Sequence, residues 1–124
     1  MHMSTIRPEE LDDRLPSDDV FVLDIRPEEL FRKGHVEGSH NVPVYHDLRS
    51  GDTDALAAKL DDIPTNREVV VICKVGMVSR RATSFLDDEG YDATTLAGGW
   101  RGWRGYQNDT LRYRVTSAIR GLLS

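Results

Sequence analysis

The chain has 124 residues and a formal net charge of −5, with 21 acidic residues against 16 basic ones. This length is typical of a single domain, and a hydrophobic content of 39% is sufficient for one core. The acidic excess argues against non-specific nucleic-acid binding, which needs clustered Lys and Arg. No apolar run approaches the roughly 20 residues that span a bilayer, and no signal peptide is expected at the N-terminus.

The chain contains one cysteine, Cys73. A single thiol excludes both an internal disulfide and a multi-cysteine metal site within the chain. This cysteine usage predicts a cytoplasmic protein in a reducing compartment. It also means that any reaction of Cys73 proceeds without a second thiol from the same chain.

The first part of the chain predicts short helices around a buried strand. Residues 8–15 begin with a proline and acidic residues, which favour the start of a helix. The apolar run 20–24 is typical of a buried parallel strand. Residues 27–33 predict a second helix that Gly34 ends, and residues 39–43 predict a short strand closed by proline.

The second part of the chain continues the alternation of helix and strand. Residues 54–60 have a helical composition, and residues 64–67 predict a turn. Residues 68–73 contain four consecutive β-branched residues and end at the cysteine, which makes them the clearest strand. An amphipathic helix over 79–89 and a short strand over 93–96 follow.

The C-terminal part predicts two separate helical pieces. A pair of glycines at 98–99 precedes a short helix that contains tryptophan, and residues 111–123 form a further amphipathic segment. We expect this segment to pack back on the domain as a closing helix, with contact to a partner as the alternative. Its apolar side chains at helical spacing are Leu111, Val115, Ile119 and Leu122.

Strands that alternate with helices predict an α/β fold with a mainly parallel sheet. In such sheets the ligand site lies beyond the carboxyl ends of the strands. Asp24 and Cys73 both stand at predicted strand ends, so we expect them at the same edge of the sheet.

The segment 73–80, with the sequence CKVGMVSR, connects the clearest strand to a helix. Backbone N–H groups in such a loop form an anion-binding nest, to which the helix N-terminus adds positive potential. Gly76 permits the necessary backbone geometry, and Lys74 and Arg80 add positive charge. The loop therefore favours a thiolate at Cys73, or an anionic group attached to it. The alternative is a buried structural cysteine that behaves as a small hydrophobe.

Three segments in a characteristic order resemble a known family. They are LDIR at 23–26 followed by GHVEGSHNVP at 34–43, the Cys73 loop, and GYDATTLAGGWRGW at 90–103. Together they are similar to the signatures of the single-domain rhodaneses, a family of sulfurtransferases, over about residues 4–106. The resemblance implies one rhodanese-like domain over 1–124, with a C-terminal helical extension over about 110–123.

The implied fold has three layers, with a central, mainly parallel five-stranded sheet flanked by helices. The implied activity is that of a thiosulfate sulfurtransferase (rhodanese), a transferase with a cysteine nucleophile. Cys73 would take a sulfane sulfur from thiosulfate or a persulfide, become a persulfide, and deliver the sulfur to cyanide, a thiol or a sulfur-relay protein. No metal or organic cofactor is implied, and neither nucleic acid nor membrane is an expected partner.

The resemblance also implies roles for residues around the cysteine. Asp24 and Arg26 would brace the site, with the arginine paired to a nearby carboxylate, and Arg80 would support the loop. The backbone from 74 to 79 would hold the persulfide. The residues of this binding loop are Lys74, Val75, Gly76, Met77, Val78 and Ser79.

Two features of the loop bear on alternatives. Phosphatases and arsenate reductases of the same fold resemble Cys-x5-Arg, but here Ser79 stands in the arginine position and Arg80 follows one residue later. The side chains of Val75, Met77 and Val78 are apolar where many rhodaneses carry polar groups, so we hypothesise weak turnover of thiosulfate with a high KM. A non-catalytic regulatory or binding module of the same fold is the remaining alternative.

Other polar and aromatic residues receive structural interpretations. His35 is expected to be a hydrogen-bonding histidine of the core rather than a metal ligand, because the histidines lack the paired spacing of a zinc site. Trp100 and Trp103 are expected to pack in the core, with Trp100 able to reach the rim of the site. Tyr45 is a candidate for the pocket lining.

Overall fold

Five strands form one sheet in which all neighbouring strands are parallel. The computed structural model describes residues 4–15 and 18–123, with 112–123 as helical backbone alone. The strand order β1-β5-β4-β2-β3 confirms the predicted α/β fold with its parallel sheet. The strands are β1 (Ser4–Ile6), β2 (Val20–Asp24), β3 (His40–Asn41), β4 (Glu68–Ile72) and β5 (Ala93–Leu96).

The helices connect these strands and agree with most of the predicted elements. The predicted helix 54–60 is one exception: it divides into a helical turn and the 3₁₀ turn Leu60–Asp62, because the Lys59 N–H bonds to the Leu56 carbonyl in the tighter i→i+3 pattern. Helix α3 was not predicted. The helices are α1 (Pro8–Arg14), α2 (Glu28–Lys33), α3 (Tyr45–Arg49), α4 (Asp54–Ala57), α5 (Ser79–Asp88) and α6 (Gly99–Leu123).

Alternate residues of the central strand β4 face opposite sides of the sheet and so define two core clusters. Val69 and Val71 pack in one cluster with residues of α3, α4 and α5. Val70 and Ile72 pack in the other cluster with residues of α1 and α6. The sheet is therefore the middle of three layers, as expected.

The C-terminal prediction was wrong in its division into two pieces. A single helix, α6, runs without interruption from Gly99 to Leu123, since no proline interrupts it and its glycines are tolerated. Leu111, expected on the packing face, is 61% exposed. The remaining residues of the expected apolar stripe, Val115, Ile119 and Leu122, lie outside the described side chains.

The start of α6 is anchored to α1. The Tyr106 hydroxyl donates a hydrogen bond to the Asp12 carboxylate over 2.6 Å, and this bond raises the pKa of Tyr106 above its ordinary value. Trp103 is buried one turn earlier in the same helix. No helix among the described residues is both long and apolar enough to cross a membrane.

Candidate active site

The carboxyl ends of β2 and β4 lie side by side, as predicted. Asp24 is paired in register with Ile72, and Cys73 follows directly after that residue. Since β4 is the central strand of the sheet, this position buries the Cys73 side chain completely. The thiol thus lies at the edge of the sheet, covered by the loop that follows Cys73.

The Cys73 sulfur has hydrogen-bond partners in the middle and at the end of the loop. The Gly76 N–H donates to Sγ over 3.0 Å, and the Sγ–H donates to the Ser79 hydroxyl over 3.3 Å. Gly76 has a φ of +90°, a conformation that side chains disfavour, and this turns its N–H toward the sulfur. Ser79 begins α5 and is fully buried, so its hydroxyl stays close to the sulfur.

A glycine pair after β5 holds the cysteine loop in place. A Cβ on Gly99 would lie 2.5 Å from the Cys73 carbonyl oxygen and 2.8 Å from the Gly76 nitrogen. The next two N–H groups, of Trp100 and Arg101, donate to the carbonyls of Cys73 and Lys74 over 2.8 and 3.1 Å. The first turn of α6 therefore packs directly against the loop, an approach that requires glycine.

This contact was missed as a feature of the site. Sequence reasoning used Gly98 and Gly99 only as part of the family resemblance and as the start of a helix. The available signal was a glycine pair at the end of a strand that neighbours the cysteine strand, where two backbones approach each other.

A cavity of about 400 Å³ opens at Cys73. Its mouth is apolar, because Val75 is 45% exposed and Met77 is 70% exposed on the loop. Tyr45 lines it, as the sequence suggested, and two arginines contribute charge. The lining residues are Tyr45, Arg49, Cys73, Val75, Met77, Val78 and Arg81.

Arg80, expected beside the loop, does not line this cavity, whereas its neighbour Arg81 does. Successive residues of a helix point about 100° apart, and Arg80 lines an adjoining cavity of about 460 Å³, which Arg81 also lines but Cys73 does not. Arg81 donates to the carbonyl oxygens of Leu48 and Arg49 over 2.8 and 2.9 Å. Arg81 therefore ties α5 to α3 along the wall of the Cys73 cavity.

Lys74 does not line this cavity but contacts one of the residues that do. Its Nζ lies 4.4 Å from the centre of the Tyr45 ring, within the range of a cation–π contact. The Lys74 side chain thus packs on a ring that lines the cavity.

Asp24 and Arg26 form a buried ion pair at the end of β2. The Arg26 Nη2 and Nε donate to the Asp24 carboxylate over 2.8 and 3.0 Å, and the two side chains are 0% and 2% exposed. Arg26 also donates to the Gly34 carbonyl over 2.8 Å and lies 4.5 Å from the centre of the Trp100 ring. The pair braces the neighbouring loops, and neither residue lines the Cys73 cavity.

The expectation for His35 was wrong, since this residue is exposed rather than part of the core. Its ring stacks on Phe31 at 3.9 Å, and Nδ1 lies 2.7 Å from the Phe31 carbonyl oxygen. The buried residue of this segment is its neighbour, Val36. Within 4–15 and 18–123, no group of three His, Cys, Asp or Glu residues is arranged to hold a metal ion.

The fold and this site together define an α/β domain with a buried cysteine in a glycine-containing loop at the carboxyl end of a parallel sheet. The family model for the rhodanese-like domain matches residues 7–106. The chain therefore belongs to the rhodanese-like domain family.

The similarity to individual proteins covers most of the chain at modest identity. The thiosulfate sulfurtransferase GlpE of Shewanella oneidensis is 29% identical over 85 residues, which cover 68% of this chain and 75% of that protein. The adenylyltransferase and sulfurtransferase UBA4 of Candida glabrata is 39% identical over 70 residues, 55% of this chain and 16% of that much longer protein. A rhodanese-related protein of Thermoplasma volcanium shares the fold, with a TM-score of 0.68, 24% identity, and coverage of 83% of this chain and 92% of that one.

Proposed function

We propose that the protein is a sulfurtransferase in which Cys73 carries a sulfane sulfur as a persulfide. The observation that carries this proposal is the Cys73 sulfur itself, which accepts the Gly76 N–H at 3.0 Å on the floor of an open cavity. A backbone donor aimed at sulfur stabilises negative charge there, which favours the thiolate nucleophile. Relatives with sulfurtransferase names support the same chemistry.

The reaction has two half-reactions. After the thiol proton has passed to solvent, the Cys73 thiolate attacks the outer sulfur of the donor. A sulfur–sulfur bond forms at Cys73 while the sulfur–sulfur bond of the donor breaks, so that thiosulfate leaves as sulfite. A thiophilic acceptor then attacks the outer sulfur of the persulfide, and the Cys73 thiolate leaves with its electron pair.

The residues around the sulfur have distinct tasks in this scheme. The Ser79 hydroxyl accepts from the thiol and, by rotating, can donate to the thiolate. The outer sulfur of the persulfide extends into the cavity beneath Val75 and Met77. Because Cys73 is the chain's only cysteine, the acceptor comes from outside the chain.

The apolar mouth of the cavity bears on the choice of donor. Val75, Met77 and Val78 offer no polar side chain to a thiosulfate dianion, and the Arg81 Nη1 already donates to two carbonyl oxygens, which leaves the exposed Arg49 as the other cation of the lining. We therefore propose a high KM for thiosulfate and more efficient loading by a persulfide of a small thiol. The cytoplasmic location stays a prediction from the cysteine usage.

Intact-mass measurement tests the proposal. Incubation with thiosulfate or glutathione persulfide is expected to add one sulfur atom, about 32 Da, which cyanide then removes. The Cys73→Ser variant is expected to gain no mass. Absence of a cyanide-labile mass gain with both donors would contradict the proposal, and hydrolysis of an aryl phosphate by the same sample would favour the phosphatase alternative.

A further inference from the structure

A second concavity, of about 240 Å³, lies beside the cysteine loop and carries a concentration of positive charge. We call it the basic cleft, defined by Lys33, Lys74, Trp100, Arg101 and Arg104 together with the buried Arg26. No carboxylate lines it among the residues whose side chains the structure describes. In a chain with a net charge of −5, this is a local reversal of sign.

The four outer cations of the basic cleft have no acidic partners among the described residues. Arg26 is neutralised by Asp24, but Lys33, Lys74, Arg101 and Arg104 form no ion pair within 4–15 and 18–111. Cations that converge on one concave site repel each other and create a positive potential that attracts a multivalent anion. Trp100, whose ring packs against Arg26, adds an apolar wall to the cleft.

Lys74 connects the basic cleft to a residue that lines the Cys73 cavity. Lys74 follows Cys73 in the chain and lines the cleft, yet its Nζ lies on the ring of Tyr45, which lines the cavity. A ligand could therefore place an anionic group in the cleft and a flexible arm over Lys74 into the cavity. This arrangement selects for a molecule that is anionic at one end and carries sulfur at the other.

We propose that the basic cleft binds the phosphate end of a phosphorylated thiol, which exchanges sulfur with Cys73. Arginine guanidinium groups match phosphate oxygens with paired hydrogen bonds, and a dianion offsets the repulsion among the four cations. The ligand's thiolate attacks the outer sulfur of the Cys73 persulfide, the persulfide's sulfur–sulfur bond breaks, and a ligand persulfide and the Cys73 thiolate form. The sulfur exchange rests on the proposed function, whereas phosphate binding in the cleft does not.

A pair of probes that differ in one phosphate tests the cleft. By calorimetry at low salt, the Cys73→Ser variant is expected to bind 4′-phosphopantetheine at least about tenfold more tightly than pantetheine, which has the same thiol arm without the phosphate. Adding Arg101→Glu and Arg104→Glu is expected to abolish this difference. Adding Arg80→Glu instead is the matched control, because Arg80 is an exposed cation of another cavity and its replacement is expected to preserve the difference.

Three results would overturn the cleft proposal: equal affinity for the two probes, an equal loss in the Arg80→Glu control, or glutathione binding as tightly as the phosphorylated probe. The last result would assign the cleft to carboxylates. Circular dichroism establishes that the variants remain folded. Because binding is measured without the cysteine, it can succeed where sulfur loading of Cys73 fails, and the two proposals are judged separately.

Sulfur exchange is then measured with the persulfide form of the wild-type protein. We expect 4′-phosphopantetheine to remove the sulfur with a KM about tenfold below that of pantetheine, and the Arg101→Glu, Arg104→Glu double variant to raise this KM toward that of pantetheine. Identical KM values for the two acceptors in the wild-type protein would contradict a role of the cleft in the exchange.

Discussion

Two neighbouring strands end at the same edge of the sheet and deliver opposite kinds of functional group. At the end of β2, Asp24 and Arg26 are both buried and satisfy each other's charge. At the end of β4, Cys73 is also buried, but its sulfur is held by a backbone N–H and a neutral hydroxyl beside an open cavity. The charges of the first pair are neutralised within the fold, whereas the sulfur of the second site has no charged partner and lies beside a cavity.

The difference follows from what surrounds each end. The Arg26 guanidinium donates through Nε and Nη2 to a carboxylate and a carbonyl and packs against Trp100, so that most of its hydrogen-bonding capacity is used within the fold. Cys73 is followed by a loop whose exposed residues are apolar and whose shape depends on glycine. The buried pair therefore determines stability, while the loop determines reactivity, and three substitutions test this division.

The largest expected effect is on stability, at the buried ion pair. Asp24→Asn removes one charge and leaves the Arg26 guanidinium buried without its partner, which is expected to cost about 3–5 kcal/mol of unfolding free energy. Chemical denaturation followed by circular dichroism measures the change. A loss below about 1 kcal/mol would contradict the view that this pair braces the fold.

The double variant Asp24→Asn, Arg26→Met is the control for that interpretation. It removes both charges and fills the arginine's space with an apolar chain, so it is expected to recover a large part of the lost stability. If the loss of unfolding free energy in the double variant equals the sum of the losses in Asp24→Asn alone and Arg26→Met alone, the two side chains do not act as a pair.

An intermediate effect is expected where α6 packs against the cysteine loop. In Gly99→Ala the new Cβ would overlap the Cys73 carbonyl oxygen, at a residue whose φ is +57°, and we expect a loss of about 2–4 kcal/mol together with slower sulfur loading. Thermal unfolding and the mass assay measure the two effects.

Gly105→Ala is the matched control in the same helix. A Cβ at Gly105 meets nothing within 4 Å, so this substitution is expected to raise stability by about 0.5–1 kcal/mol without altering sulfur loading. Similar losses of stability and of sulfur loading in both variants would show that the effects arise from a change in helix α6 itself and not from its contact with the loop.

The smallest expected effect on stability, but a specific one on reactivity, concerns Ser79 as a positioning residue. Ser79→Ala removes one hydrogen-bond partner of the Cys73 sulfur, and we expect sulfur loading and alkylation by iodoacetamide to slow about tenfold, equivalent to roughly 1.4 kcal/mol. Ser84→Ala, on the same helix but away from the sulfur, is expected to leave both rates unchanged. Unchanged rates of sulfur loading and alkylation in Ser79→Ala would show that the hydroxyl has no role in the reaction.

Most of the fold could be predicted from local patterns. The β-branched run of β4 and the apolar run of β2 fit only a buried parallel sheet, and proline and glycine mark the ends of α1 and α2. Helix α3 escaped prediction because a five-residue helix carries too few residues to show a period. The continuity of α6 was not predicted, because glycines lower helix propensity. The hydrogen-bonded backbone of α6 nevertheless tolerates them.

The candidate site was predictable in its centre and less so in its walls. Cys73, Gly76 and Ser79 come together because they belong to one short loop between a strand and a helix, and local sequence is sufficient to place them. The position of Arg80 was not predictable, because a shift of one residue on a helix changes direction by about 100°, and only the packing of α5 decides which arginine lines the Cys73 cavity.

The sequence by itself determined the parallel α/β architecture and the single cysteine at a strand end, because strand burial and loop chemistry are local properties of the chain. Tertiary structure alone decided which distant groups surround that cysteine. The glycine pair after β5 approaches the loop across the sheet, Arg81 bonds to α3, and cations from α2, the cysteine loop and α6 converge on the basic cleft. These contacts join segments far apart in the chain, so their geometry depends on how the layers pack and not on any local pattern.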